Sequence, residues 1–364
     1  MTFEELLKTP PYSLSKPEKE KILTQFLKEL TIHHYENCRE YRNILKAMKF
    51  NPYGEIANYS ELPMLPVRIF KELSLKSVPD TDLAKSMSSS GSSGQKVSKL
   101  YLDRQTAVAQ QNVGIKITSG FLGIKRMPFV IIDSPAILKS REAYTARGAA
   151  ALFFSLFGSD RIFALKDDMS PDLEGIADFL QKHKGQQILL FGFTFMVWQH
   201  LFCALQEAGI KLDFNDGILI HSGGWKKMES MKVSAQTFRE KLGEQCNINH
   251  IYNEYGMAEQ SGTIYFECEH GYYHASIFSD VIARRSRDLS ICDFGEPGMM
   301  ELVSILPHSY PGHVILSEDE GVICGEDDCP CGRLGKYFRI NGRIKNAELR
   351  GCSDTYAAGF KEKR

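Results

Sequence analysis

The sequence lacks any apolar run approaching the ~20 residues that span a bilayer, so no transmembrane helix is expected. It also lacks a charge imbalance. Lys and Arg number 44 against 45 Asp and Glu, a net charge of −1, which excludes the strongly basic footprint of a nucleic-acid binder. The segment Met1 to Tyr12 has acids at Glu4 and Glu5 and no apolar core. No secretory signal is read there, and a cytoplasmic location is expected. No internal repeat is evident, and low complexity is confined to Ser86 to Ser93. Hydrophobic residues at 43% and charged residues at 24% exclude disorder, collagen and coiled coil as the main architecture. What remains is a chain of 364 residues, enough for one large α/β domain or two domains. Its nine cysteines are expected to be reduced, serving as buried apolar residues, metal ligands or nucleophiles.

Ser15-Lys16-Pro17-Glu18 is a capping-box pattern with Pro in the first turn. Ile22, Leu23, Phe26, Leu27 and Leu30 follow at helical spacing. A second helix is expected over roughly His33 to Met48, and Leu62-Pro63-Met64-Leu65-Pro66 breaks the pattern. Residues 1–75 thus read as a helical segment packed on a main domain. From there strand-like and helix-like segments alternate. Phe129 to Ile132, Ile188 to Phe191, Ile218 to Ile220 and Ile248 to Tyr252 are short apolar runs that fit buried strands. Pro171 to Lys184 and Phe195 to Glu207 have helix length. The alternation predicts an α/β core over 76–262. Beyond it Gly271 to Ile277, Met299 to Ile305 and His313 to Leu316 follow closely between Gly and Pro, predicting a β-rich portion over 263–340. A tail, 341–364, carries Cys352.

Ser88-Ser89-Ser90-Gly91-Ser92-Ser93-Gly94-Gln95-Lys96 is the strongest local signal. Small residues let backbone N–H groups approach an anion, hydroxyls add donors, and Lys96 adds a positive charge. A flexible Ser/Gly linker has the same composition. The Gly-Lys-Ser/Thr ending of a P-loop is absent. Four further motifs follow in order: His221-Ser222-Gly223-Gly224-Trp225, Tyr252-Asn253-Glu254-Tyr255-Gly256-Met257-Ala258-Glu259, Ser317-Glu318-Asp319 and Asn341-Gly342-Arg343. Each is expected to follow a strand or to lie near the end of the chain.

Together these five motifs resemble, in order and spacing, the core motifs of the adenylate-forming superfamily of acyl-CoA synthetases, luciferases and peptide-synthetase adenylation domains. The resemblance implies that superfamily's N-terminal-domain fold, with layered α/β sheets and a small β portion. It implies ATP and Mg²⁺. By resemblance Ser89, Ser90, Gly91, Ser92, Ser93, Gly94 and Lys96 cradle the β- and γ-phosphates. Ser222, Gly223 and Gly224 with Asn253, Glu254 and Tyr255 flank adenine, Tyr255 stacking on it beside Gly256. Glu259 matches the Mg²⁺-binding acid, a hard oxygen ligand. Asp319 accepts the ribose hydroxyls, and Arg343 reaches the nucleotide. Ala258 stands where the superfamily usually has Thr, which removes one phosphate contact.

The match narrows to one branch. Ile32 to Arg42, Leu62 to Lys71, Ser222 to Lys226 and Ser309-Tyr310-Pro311 resemble the acyl-protein synthetases of bacterial bioluminescence over nearly the whole chain. That family activates a fatty acid with ATP and loads the acyl group on a cysteine near its C-terminus. It then passes the group to a partner reductase. Arg350-Gly351-Cys352-Ser353 occupies the corresponding place, so Cys352 is the expected acyl acceptor. Arg343, Lys345 and Arg350 are candidate cations for its thiolate. The full C-terminal lid domain of the superfamily, with its catalytic Lys, is expected to be missing. Two other readings stay open: transfer of the acyl group to coenzyme A or a carrier protein, and a non-catalytic nucleotide- or acyl-binding subunit.

Cys268-Glu269-His270, His274 and Cys329-Pro330-Cys331-Gly332-Arg333 resemble a metal motif of the phenylacetate-CoA ligase branch. Cys268, His274, Cys329 and Cys331 would make a closed tetrahedral set of the kind structural Zn²⁺ takes, with His270 and Cys324 as substitutes. Phe191-Gly192-Phe193-Thr194-Phe195 is expected to end near a cleft. Its aromatics suit either an apolar acyl pocket or the core, with Phe195 assigned to the core.

Overall fold

The computed structural model describes residues 1–88, 98–138, 146–225 and 231–344. Ser89, Ser90, Gly91, Ser92, Ser93, Gly94 and Lys96 lie outside the described residues, as does Cys352. Within them the chain divides into two compact units: one takes residues 1–88, 98–123 and 255–344, the other 124–254. No described helix is long and apolar enough to cross a membrane.

In the first unit the expected capping box forms. Glu18 accepts from the Ser15 N–H at 3.0 Å and from its hydroxyl at 2.6 Å, and starts the helix Lys16–Asn37. Leu23, Leu27 and Leu30 form its buried face. The second helix expected from His33 to Met48 is instead two pieces, because Lys16–Asn37 runs past His33 and Arg39–Ala47 starts afresh. Cys38 between them is extended at φ −117° and ψ 109°. The break turns Cys38, Tyr41 and Leu45 into one core with Phe70, Leu102 and Ile315, which a straight continuation could not do.

The main sheet of this unit is antiparallel, in the order Tyr273–His274, Lys336–Arg343, Val314–Glu326, Pro297–Ser304, Ser279–Arg284. Leu65–Pro66, from the predicted break, adds a short parallel pairing to Val314–Glu326. The strand expected over Gly271 to Ile277 shortens to Tyr273–His274, because turns take up its flanks. The strand expected to end at Leu316 runs on to Glu326, so Asp319 sits inside a strand rather than after one. Antiparallel register places Asp319 directly opposite Arg343.

The second unit carries a parallel sheet in the order Gly158–Phe163, Met127–Ile131, Leu189–Phe193, Gly217–Ser222, Ile248–Tyr255. All four predicted apolar runs are strands here. Such strands, covered on both faces, read as continuous apolar runs because neither face meets water. Met127–Ile131 and Leu189–Phe193 are buried throughout. The helix predicted from Phe195 to Glu207 spans Thr194 to Ala208, with π-type winding over Val197–Cys203. Its Trp198, Leu201 and Phe202 pack with Leu190, Leu219 and Phe238 into the core of this unit. Chain order departs from sheet order at Met127–Ile131, whose neighbours are the next strand on one side and the one after on the other. In open parallel sheets, ligands bind beyond the carboxyl ends of the strands. Ser222, Asn253 and Glu254 stand at such ends.

Candidate functional site

In the first unit, three residues assigned to the nucleotide meet through side chains. The Tyr255 hydroxyl donates to Asp319 Oδ2 at 2.7 Å. Arg343 brings Nε to 3.7 Å from Asp319 Oδ1 and a terminal nitrogen to 3.8 Å from Glu318. Glu318 is also paired with Arg68. Register explains the Asp319–Arg343 meeting, since the two are cross-strand partners. Burial pushes the Asp319 carboxyl up from its usual range, while the Tyr255 hydrogen bond and the Arg343 charge pull it back. The Tyr255 ring packs with Tyr265, Tyr273 and Phe338, at centroid separations of 6.0, 5.9 and 6.2 Å. Burial, with the adjacent Asp319 charge, holds its hydroxyl well above the usual tyrosine range, so it stays a donor.

Glu259 lies in a single helical turn, Ala258–Gln260, in the same unit and is buried. Burial raises its carboxyl above the usual range, against a hydrogen bond from Ser98 and the charges of Lys71 and Arg343. A buried carboxylate of raised pKa fits a divalent cation, because the ion's charge restores the ionised form. Ser98 lies just past the Ser/Gly loop and was not singled out by sequence. A hydroxyl two residues beyond Lys96 was the available signal.

The metal set predicted in this unit converges. One ligand atom each from Cys268, His274, Cys329 and Cys331 lies within 4.8 Å of all the others. His274 Nε2 is 3.3 Å from Cys331 Sγ. Two turns present the sulfurs. The Gly271 N–H closes on the Cys268 carbonyl at 2.9 Å, and the Gly332 N–H on the Cys329 carbonyl at 2.9 Å. Gly332 has φ +77°, which a side chain would strain. His274 is held on the short strand opposite Tyr337. Its buried Nδ1 has no hydrogen-bond partner among the described residues. Three thiols and an imidazole this close fit a tetrahedral soft-ligand ion. The substitutes His270 and Cys324 are not in the set. The Arg333 guanidinium, two residues after Cys331, lies 4.0 Å over the Phe121 ring and 3.5 Å from Glu269.

In the second unit, Ser222 is the partner of Glu254 across parallel strands. Burial raises the Glu254 carboxyl, and a hydrogen bond with Ser222 opposes the shift. Gly223 follows at φ +72° and Gly224 is exposed. Phe193 and Phe195 are both buried; Phe195 is in the core, as assigned. Sequence reasoning missed the role of Thr194, whose hydroxyl reaches the Ser222–Gly223 turn. Its position as the first residue after a strand was the signal.

Comparison with known proteins gives a consistent result. The family described as acyl-protein synthetase, LuxE, matches residues 3–361. A long-chain-fatty-acid–luciferin-component ligase of Vibrio harveyi is 23% identical over 97% of this chain and 92% of its own length. A ligase of the same description from Aliivibrio fischeri is 22% identical over 95% of this chain and 90% of its own. Among solved structures, an open conformation of 2-hydroxyisobutyryl-CoA ligase with 2-HIB-AMP and CoA superposes with TM-score 0.70. That match has 16% identity and covers 92% of this chain and 77% of that one. The same ligase in its postadenylation state gives 0.68, with 16% identity, over 91% and 69%. The fold is therefore that of the adenylate-forming ligases, as the motif order predicts.

Proposed function

Because this chain belongs to the LuxE acyl-protein synthetase family, we propose that it activates a long-chain fatty acid with ATP and then carries the acyl group on its own Cys352. A carboxylate oxygen attacks the α-phosphorus of ATP. A new P–O bond forms, the bond to the bridging oxygen breaks, and pyrophosphate leaves with that electron pair. The Cys352 thiolate then attacks the acyl carbon. The C–S bond forms, the C–O bond to phosphate breaks, and AMP leaves. The family match over residues 3–361 carries this reading, since it spans every motif involved.

The residue roles follow the motif assignments. Asp319 and Arg343 take the ribose and the nucleotide, with Tyr255 and Gly256 beside adenine. Glu259 takes Mg²⁺, which neutralises phosphate charge when bound. Ser222, Gly223, Gly224, Asn253 and Glu254 take the adenine edge. Ser89, Ser90, Gly91, Ser92, Ser93, Gly94 and Lys96 take the outer phosphates. Cys268, His274, Cys329 and Cys331 hold a structural Zn²⁺ that fixes their two turns to the sheet. The enzyme acts in the cytoplasm, and a reductase or an acyl carrier receives the acyl group.

The test is acid-dependent exchange of radiolabelled pyrophosphate into ATP over a panel of fatty, aromatic and hydroxy acids, paired with acyl labelling of Cys352→Ser. Exchange with long-chain acids and loss of protein-bound acyl in Cys352→Ser are expected. Exchange that persists while Cys352→Ser keeps full transfer to an external thiol would replace the self-acylating reading with a coenzyme A or carrier ligase. No exchange by folded protein with any acid would sink adenylation itself.

A further inference from the structure

The strand Leu189–Phe193 ends at Thr194, and its neighbour Gly217–Ser222 ends in the Ser222-Gly223-Gly224 turn. The Thr194 side chain crosses between them. Its Oγ1 lies 3.2 Å from the Ser222 carbonyl and hydrogen-bonds the Gly223 carbonyl. The same oxygen is 2.9 Å from His221 Nδ1. A hydroxyl has one proton. It is committed to the carbonyls, so the Thr194 oxygen must accept from His221, which fixes the Nδ1–H tautomer. Both side chains are buried, at 5% and 8% exposure. The His221 ring packs on Phe238 at 4.9 Å between centroids. Burial, with the Arg239 charge adding to it, lowers His221 to about 3, so the imidazole is neutral.

The lock has a directional consequence. A trans peptide points its C=O and N–H in opposite directions. Holding the Gly223 carbonyl inward therefore turns the Gly224 N–H toward the exposed side, where, among the described residues and apart from its chain neighbours, no atom lies within 4 Å of the place a Gly224 Cβ would occupy. Gly223 needs its positive φ for this, and a Cβ there would meet the Phe193 ring at 3.2 Å. Resting on the nucleotide reading of this turn above, we propose that Thr194 and His221 are positioning residues that hold the Ser222-Gly223-Gly224 turn in its ligand-binding shape, its outward N–H presented to an oxygen or nitrogen acceptor of the bound nucleotide. Neither residue touches the nucleotide. Both act through the turn.

The two tryptophans of the chain, Trp198 and Trp225, report on this turn. Trp225 follows Gly224 directly and packs edge-on to Trp198, with 5.9 Å between centroids. The experiment compares Thr194→Val, which keeps the shape and removes the hydroxyl, with Thr194→Ser, which keeps the hydroxyl, and with His221→Gln. Acrylamide quenching of tryptophan is read without ligand, and the ATP dependence of pyrophosphate exchange is read with a fatty acid. Thr194→Val is expected to raise quenching and to raise KM for ATP roughly tenfold with kcat within about twofold. Thr194→Ser is expected to behave as the native protein, and His221→Gln to fall between. A Thr194→Val protein with native quenching and native KM overturns the proposal. So does a fall in kcat or thermal stability with KM unchanged, which would mark a merely structural role. If the native protein exchanges no pyrophosphate with any acid, adenylation fails instead. The quenching comparison then decides the lock: a rise restored by Thr194→Ser supports it, and no rise overturns it.

Discussion

Tyr255 and Asp319 are joined by a 2.7 Å hydrogen bond, and Arg343 approaches the other Asp319 oxygen at 3.7 Å. The carboxylate is thus oriented before any nucleotide arrives, one oxygen held by Tyr255 and the other approached by Arg343. A group held this way loses little freedom on binding. Asp319→Ala is expected to raise KM for ATP by about ten- to a hundredfold, as for loss of a hydrogen bond to a charged group worth roughly 1.5–3 kcal/mol. Tyr255→Phe should give a smaller rise, because Arg343 still restrains the carboxylate. Pyrophosphate exchange at varied ATP measures both. An Asp319→Ala enzyme with native KM would remove Asp319 from the nucleotide site.

Zinc is the second expectation. Protein purified without chelators should carry one Zn²⁺ per chain by elemental analysis. Cys329→Ser should lose it and melt at lower temperature, by about 2–4 °C for each kcal/mol of stability lost. Protein that carries no metal when purified without chelators, and that melts at the same temperature as Cys329→Ser, would show the four side chains to be unliganded.

The parallel strands were legible because burial on both faces leaves continuous apolar runs such as Phe129 to Ile132. The Cys268, His274, Cys329 and Cys331 set was legible because its soft ligand types and its Cys-Pro-Cys-Gly-Arg run resemble a metal motif of a related branch. Local pattern could not show that Asp319 lies inside a strand. Ser317-Glu318-Asp319-Glu320 is polar, yet cross-strand pairing with Lys336–Arg343 extends the strand through it. The break at Cys38 was hidden for a related reason: tertiary burial of Cys38 and Tyr41 overrides a helical spacing that runs through them. Thr194 was invisible as a site residue because its partners are backbone carbonyls nearly thirty positions away.

Asp280 anchors the first unit and supports a third prediction. It is fully buried, 3.4 Å from Lys19 Nζ and 3.2 Å from Lys336 Nζ, and it accepts from the Tyr59 hydroxyl. Burial alone would raise its carboxyl, but Lys19, Lys336, Tyr59 and the Val281 N–H outweigh it and hold it down to about 2. Asp280→Asn removes the carboxylate that contacts both Lys19 and Lys336, and is expected to cost about 3–5 kcal/mol. Lys19→Met in that background should restore part of the loss, because it removes one of them. Urea unfolding checks both. The stabilisation from Asp280 is present above the unfolded value of ~3.9 and lost as pH falls toward about 2.

A larger pH effect should come from the histidines where Lys16–Asn37 meets the segment around Pro307 to His313. His34 Nε2 is 3.0 Å from the Pro307 carbonyl, and its Nδ1 is 2.8 Å from Ser77 Oγ. Its ring is 4.8 Å from that of His313. His33 stacks on His308 at 3.9 Å. His313 Nε2 is 2.9 Å from Thr31 Oγ1. Burial lowers His34 far below the usual range, and His313, His33 and His308 lower it further. Burial, with His33, lowers His313 to about 3. Only His33 has acids opposing the shift, Glu36 and Asp103, and burial with His308 still lowers it. The folded protein therefore keeps His34 and His313 neutral, while the unfolded chain takes up protons near pH 6.5. As pH falls through that value the unfolded state binds more protons, so stability falls with falling pH; above about 7.5 it is flat. Each fully suppressed histidine should cost about 2 kcal/mol by pH 5. His34→Gln keeps a polar side chain and cannot titrate. It should reduce the slope of unfolding free energy against pH, between 6 and 5, by roughly 1.2 kcal/mol per pH unit. A native slope in His34→Gln would mean that the cluster takes up its protons without opening, and that acid sensitivity arises elsewhere.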